Sequence, residues 1–190
     1  MTATGFALFD TAIGACGVVW GERGIVGLQL PETRDAEARA RLLRRHPDAM
    51  EGPPPAEVER VLDRIRSLLE GQKIDLADVP LNMEGVPAFE RRVYEVARGI
   101  PPGATLTYGE IAVRLGDKTL ARDVGAALGR NPFPIVIPCH RVLAAGGKTG
   151  GFSARGGVDT KMRMLQIEGA KISEEPLLFD SLPVGARPKR

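Results

Sequence analysis

Residues 131 to 142 read Asn131-Pro132-Phe133-Pro134-Ile135-Val136-Ile137-Pro138-Cys139-His140-Arg141-Val142, which concentrates reactive chemistry in a few positions. A thiol and an imidazole are neighbours there, and a guanidinium follows. The thiolate is a strong, soft nucleophile, and an imidazole with positive charge nearby lowers the pKa of a thiol toward the physiological range. Arg141 is read as supplying that charge. The apolar run Ile135 to Ile137, bounded by prolines, reads as a buried strand that delivers the thiol. Successive side chains on a strand point to opposite faces, so contact between Cys139 and His140 requires a turn after Pro138 or a bridging water. A third group should orient the imidazole, and Glu168, near the end of the last helical segment, is of the right type. Free cysteine is also at home as inert packing. Cys16, inside an alternating apolar stretch, is read that way, and for Cys139 both readings stand at this point. Cys16, Cys139, His46 and His140 show no C-x-x-C or H-x-x-x-H spacing, so no metal is expected.

The elements that must position these groups can be sketched from pattern. The chain has 190 residues, 43% of them hydrophobic and 26% charged, enough for one ordinary domain or two small ones sharing a face. Apolar runs such as Gly17 to Trp20 are too short to span a bilayer. Met1 to Asp10 has no basic stretch followed by an apolar one, so a signal peptide is not indicated and a cytoplasmic location is expected. Three alternating runs, Phe6 to Thr11, Ala15 to Trp20 and Ile25 to Leu30, predict an antiparallel meander. Residues 35 to 46 predict a short helix. After Pro53-Pro54-Pro55, a stronger helix carries Val58, Val61, Leu62, Ile65, Leu68 and Leu69 on one stripe. Residues 73 to 85 read as a connection. Beyond it, Phe89, Val93, Val96 and Ile100 share a helical face. Thr107 to Leu115 and Thr119 to Leu128 are two short helices joined through Gly116, a pattern that fits a helix-turn-helix. Gly157 to Gly169 predicts a last helix with Met162 and Leu165 in the core. Residues 1 to 90 carry 10 basic and 15 acidic side chains, and residues 91 to 190 carry 16 and 9. A basic second half is the split expected when one half faces a polyanion.

Pro138-Cys139-His140-Arg141-Val142, preceded by Tyr108-Gly109-Glu110-Ile111-Ala112, Ala121-Arg122-Asp123-Val124-Gly125 and Asn131-Pro132, strongly resembles the methylated-DNA–protein-cysteine methyltransferases, the O6-alkylguanine-DNA alkyltransferases. The resemblance runs from about Phe89 to Gly169. It implies an α+β fold: a small N-terminal antiparallel sheet with helices in a ribonuclease H-like layout (residues 1–82), then a helical unit with the helix-turn-helix and the cysteine loop (83–170). Residues 171–190 are expected to be a loose tail. It also implies a partner, double-stranded DNA containing O6-alkylguanine, with no cofactor, no membrane and a monomer in the absence of DNA. The lesion would be flipped out of the duplex from the minor groove, because O6 inside the stack is out of reach of a thiol.

Roles follow residue by residue from the same resemblance. Arg122 would fill the gap left by the flipped base, with Gly109 and Ala121 on the DNA-facing surface. Tyr108 would crowd the phosphate and protonate guanine at N3, and Asn131 would hold the active-site turn. Glu168 would orient His140, which through a water would take the proton of Cys139. Val142, Phe152, Ser153 and Lys161 would form the pocket; carbonyls of Cys139 and Val142 would read the exocyclic amine, and the Ser153 amide would face O6. For Lys161 a solvated surface lysine is the alternative. Each molecule would act once on O6-alkylguanine, and O4-alkylthymine is a second candidate substrate. Phe152 stands where many relatives have Tyr, Ala154-Arg155 resembles a two-residue insertion, and Asp117 and Asp123 put negative charge where phosphates would approach. A non-catalytic lesion binder would not need Cys139, and a Cys/His hydrolase would need an oxyanion hole that the sequence does not display.

Overall fold

A computed structural model describes residues 3–171. The expected tail lies, from residue 172 onward, outside the described residues. The chain opens with β1 (Gly5–Phe9), β2 (Cys16–Gly21) and β3 (Gly24–Gln29), an antiparallel meander as the alternation predicts. The sheet is nevertheless mixed, because β4 (Met50–Glu51) pairs parallel with β1, giving the order β3-β2-β1-β4. A two-residue strand this short leaves almost no periodicity to read. Both faces of the sheet are covered. Phe6, Val19 and Val26 pack with Leu42 of α1 (Asp35–Arg45) on one side, while Val18, Trp20, Ile25 and Leu28 join the main core on the other. Neighbouring residues on a strand therefore bury in opposite directions.

Helix α2 (Ala56–Leu69) buries the six residues of its predicted stripe. At full burial each large side chain of that kind stabilises the fold by about 1.5–3 kcal/mol before entropy is counted. The connection after α2 returns to the sheet: Ile25 donates to the Pro80 carbonyl and Asn82 donates to Ile25, which covers one end of the β3 edge. The other end of that edge is taken by the Leu28 amide donating to Pro132 at 2.9 Å. The sheet edge is thus bonded to the segment leading to Cys139.

The second half is built from α3 (Ala88–Arg98), α4 (Tyr108–Arg114), α5 (Ala121–Gly129) and α6 (Gly157–Ile167). In α3 the buried face is Glu90, Val93, Tyr94 and Ala97, with Phe89 and Val96 only partly covered. The expected face is rotated because Tyr94 packs inward and its hydroxyl finds the Ala127 carbonyl at 2.9 Å. In α6 it is Met164, not Met162, that enters the core beside Leu165. Ile135 to Ile137 is not a strand. The segment from Asn131 to Pro138 is a compact turn, closed by Ile137 donating to Phe133 at 2.8 Å, with Ile135 in the left-handed region at φ 76°. A run of buried apolar residues looks the same in sequence whether it forms a strand or a packed turn. One apolar cluster runs without interruption from Phe9 through α2 to Met164. Among the described residues no helix is long and apolar enough to cross a membrane.

Candidate active site

Two short strands bring the reactive segments together. β5 (Leu106–Thr107) pairs parallel with β6 (Val142–Leu143), Leu106 opposite Val142. Tyr108 follows β5 directly, and the one-turn 3-10 helix Cys139–Arg141 directly precedes β6. Helix α4 then starts at a fixed point, because Thr107 and Glu110 form a capping box. The Thr107 hydroxyl accepts from the Glu110 amide at 3.1 Å, and Glu110 accepts from the Thr107 amide at 2.6 Å. Two orphan amides of the first turn are satisfied this way. The T-x-x-E spacing is visible in the sequence and was the signal that could have located this start.

Within the 3-10 turn, Cys139 is half-buried and faces open space, while His140 is fully buried. The turn after Pro138 is the device that lets adjacent residues serve one site. Asn131 clasps the approach: its Nδ2 donates to the Ile137 carbonyl at 2.8 Å and its Oδ1 accepts from the Phe133 amide at 2.9 Å. Burial pushes the Cys139 thiol up from its ordinary range, and a hydrogen bond from Asn131 and the charge of Lys161 oppose that rise. The cation acting on the thiol is therefore Lys161 rather than Arg141. Arg141 points the other way, donating through Nε and Nη2 to the two Glu168 oxygens, at 2.8 Å each, and through Nη1 to the Ile100 carbonyl at 2.5 Å.

Glu168 also receives His140, with Nε2 at 2.9 Å from Oε1. Burial alone would raise the Glu168 pKa, but the hydrogen bonds from His140 and Arg141 outweigh it and hold the carboxyl down at about 2. An ionised carboxylate accepts only, so Nε2 must carry the proton and Nδ1 is left with a free lone pair. That Nδ1 atom is buried and has no partner among the described residues. Burial also pushes the His140 pKa below its ordinary value, so the ring rests neutral and able to accept a proton.

Lys161 is not a surface lysine. It is fully buried, donates to the carbonyls of Val142 and Thr149 at 2.6 Å each, and lies 5.9 Å from the ring centres of Tyr108 and Phe152. Burial pushes its pKa down to about 8. Val142 is sealed in the core, and Lys161 already occupies one lone pair of its carbonyl.

A cleft of about 500 Å³ opens over the thiol, walled by Tyr108, Gly125, Leu128, Cys139, Phe152 and Ser153. Tyr108 is half-buried, and burial together with the nearby Cys139 raises its pKa. Its ring lies across Gly150: a Cβ there would come within 3.2 Å of Cε2 and 3.3 Å of the hydroxyl, at a φ of +65°. Gly125 stands in the same wall, and Arg122, exposed one turn earlier on α5, shares its helix face. Gly109 and Ala121, in the first turns of α4 and α5, are half-buried. Ser153 is exposed and its hydroxyl donates to the Gly129 carbonyl at 3.1 Å. Asp117 caps the turn before α5, accepting from the Thr119 amide at 2.8 Å. The structure thus gathers Cys139, Tyr108, Phe152 and Ser153 around one space, sets His140, Glu168 and Lys161 behind it, places Asn131 in the neighbouring cleft that shares Cys139, and leaves Arg122 exposed on α5 outside the lining. Sequence reasoning missed Tyr94, the Arg141–Glu168 clamp and the walls Gly125 and Leu128. Among the described residues no group of His, Cys, Asp and Glu could hold a metal ion.

Residues 88–170 match the family model described as the 6-O-methylguanine DNA methyltransferase DNA-binding domain. A methylated-DNA–protein-cysteine methyltransferase of Methanothermobacter thermautotrophicus is 38% identical over 156 residues, covering 82% of this chain and 80% of that protein. A protein of the same name from Methanopyrus kandleri is 45% identical over 126 residues, covering 63% of this chain and 90% of that one. Among solved structures, Mycobacterium tuberculosis OGT in complex with DNA superposes with a TM-score of 0.68 at 30% identity, over 87% of this chain and 93% of that one. With its cysteine turn, its mixed α+β fold and this extent of shared sequence, the chain belongs to the methylated-DNA–protein-cysteine methyltransferase family.

Proposed function

We propose that the protein repairs O6-alkylguanine in double-stranded DNA by moving the alkyl group to Cys139, once per molecule. The observation that carries this is the half-buried Cys139 in the floor of an open cleft, backed by a neutral imidazole whose free Nδ1 is fixed by Glu168. His140, through one water, takes the thiol proton. The sulfur then attacks the alkyl carbon in line; the S–C bond forms, the C–O6 bond breaks, and its electron pair passes into the base. Tyr108 delivers a proton to N3, so neutral guanine leaves. Lys161 and the Asn131 hydrogen bond stabilise the thiolate on the way. A thioether has no good leaving group, which makes the transfer irreversible and the reaction stoichiometric. The same chemistry extends to O4-alkylthymine if that base fits the cleft.

Residues 83–170 are read as the DNA-binding and transfer unit, with α4 and α5 as the helix-turn-helix and Arg122 holding the place of a base flipped from the minor groove. Gly109 and Ala121 lie where the phosphates approach. Phe152 and Ser153 bound the pocket, with the Ser153 amide toward O6. Residues 1–82 are read as a ribonuclease H-like structural unit, for which the order β3-β2-β1-β4 with a parallel last strand is the supporting feature. The protein is expected to be a cytoplasmic monomer until it meets DNA.

The test is intact mass after incubation with an oligonucleotide containing O6-methylguanine. The protein should gain one methylene on Cys139, and Cys139→Ala should gain nothing. An unchanged wild-type mass with tight binding would favour a lesion binder instead.

A further inference from the structure

A second cleft meets the first at the thiol. It has a volume of about 170 Å³ and shares Leu128, Gly129, Cys139, Phe152 and Ser153 with the Tyr108 cleft, but it runs toward the N-terminal unit. Its far walls are Arg41 and Arg45 of α1, Arg130 after α5, and Arg155 of the pocket loop, with Glu32 as the single carboxylate. Three of these guanidiniums are matched: Arg41 with Glu32 at 2.5 Å, Arg130 with Glu90 at 2.7 Å, and Arg155 with Glu37 at 3.6 Å. Arg45 has no ion-pair partner among the described residues; burial together with Arg41 and Arg44 pushes its pKa down, with Glu32, already paired with Arg41, partly opposing the shift. The cleft that Cys139 lines therefore carries spare positive charge on its far wall.

The geometry of in-line displacement says what this space is for. Sulfur and O6 occupy opposite ends of the reacting axis, and everything else on the carbon lies in the plane between them. A methyl group needs no further room. A longer substituent must leave sideways beside the sulfur, and with the base in the Tyr108 cleft the arginine cleft is the opening on that side. A cation without an ion-pair partner there attracts an acidic chain end and does nothing for a neutral one. We propose that this cleft receives the acidic ends of O6 substituents, so that Arg45, on the N-terminal unit, is a specificity-determining residue favouring carboxylate-bearing adducts. The inference rests on the alkyl transfer proposed above. It also gives a place to Ala154-Arg155, the departure from the family pattern, since Arg155 ties the pocket loop to α1 through Glu37.

Three oligonucleotides test it, carrying O6-methylguanine, O6-carboxymethylguanine, and the O6-carbamoylmethyl amide, which has the same shape without the charge. Single-turnover transfer is measured for the wild type, Arg45→Gln and Arg45→Glu. The acid-to-amide rate ratio should fall about fivefold in Arg45→Gln, the scale of one partly exposed charge contact, and further in Arg45→Glu, while methyl transfer holds in both. An identical ratio in all three proteins, no transfer of the acidic group by the wild type, or an equal loss of methyl transfer in the variants would each overturn the proposal. Absence of methyl transfer by the wild type would instead remove the alkyl-transfer reading itself.

Discussion

His140 donates a hydrogen bond from Nε2–H to Glu168 and keeps Nδ1 bare, so in the proposed reaction the imidazole serves as a base at that atom only while the carboxylate stays charged. Glu168 has a second dependant, the nearly buried Arg141, which it binds through both oxygens. Removing the negative charge would leave that guanidinium uncompensated in the interior. Glu168→Gln should therefore cost about 3–5 kcal/mol in denaturant unfolding. It should also slow transfer by about a hundredfold or more in a single-turnover assay. The same pair sets the acid limb of stability. The folded Glu168 pKa, about 2 against an ordinary 4.5, means that the carboxylate contributes fully above pH 4.5 and loses its contribution as the pH falls toward 2. His140 is held below its ordinary 6.5, so its contribution is whole above that pH and declines beneath it. Thermal midpoints should fall gently below pH 6.5 and steeply below 4.5, and Glu168→Gln should lose the steeper limb. A wild-type midpoint that does not change across that range would contradict both assignments.

Helix α4 places Tyr108 by its start rather than by its length. Seven residues form a weak helix on their own, so the capping box at Thr107 and Glu110 and the β5–β6 pairing decide where the ring sits. Thr107→Ala removes one of the two reciprocal bonds and should cost about 1 kcal/mol by thermal unfolding. Gly150 acts from the opposite side of the ring. An alanine there meets a left-handed backbone and a Tyr108 ring 3.2 Å away, so Gly150→Ala should destabilise the protein by about 1–3 kcal/mol and slow transfer through a displaced Tyr108. Helix α5 exposes Arg122 one turn before Gly125 of the cleft wall. Arg122→Ala should slow repair in duplex DNA while leaving reaction with free O6-alkylguanine nearly unchanged. Equal losses on the two substrates would refute a role in base extrusion.

Across the whole molecule, the candidate site around Cys139 is supported by the N-terminal sheet. Leu28 donates from the β3 edge to Pro132, at the entrance of the turn that holds Ile135 in a backbone conformation unfavourable for a β-branched residue. The Asn131 clasp and full burial of the Phe133, Ile135 and Ile137 side chains keep that turn closed. Because the apolar cluster is continuous from Phe9 to Met164, both halves should unfold together. Trp20 fluorescence reports on the sheet and labelling of Cys139 on the transfer site, and their denaturation midpoints should coincide. Ile65→Ala, a cavity in α2 at a fully buried position, should lower both midpoints equally and cost about 2–5 kcal/mol. Two separate midpoints would mean that the halves fold independently.

From sequence alone, the candidate Cys139-His140 pair, the α2 stripe, the meander and the two short helices with Tyr108 and Arg122 were legible. Each rests on local periodicity, turn residues or a compact motif, which neighbouring residues specify among themselves. The partner of Arg141, the burial of Lys161, the inward turn of Tyr94 and Met164, and the turn in place of a strand at Ile135–Ile137 were decided by packing between segments far apart in the chain. So was the arginine cleft, whose walls come from α1, α5 and the pocket loop. A side chain's charge and size are written in its residue type, but the group it faces depends on which surfaces are pressed together when the core closes.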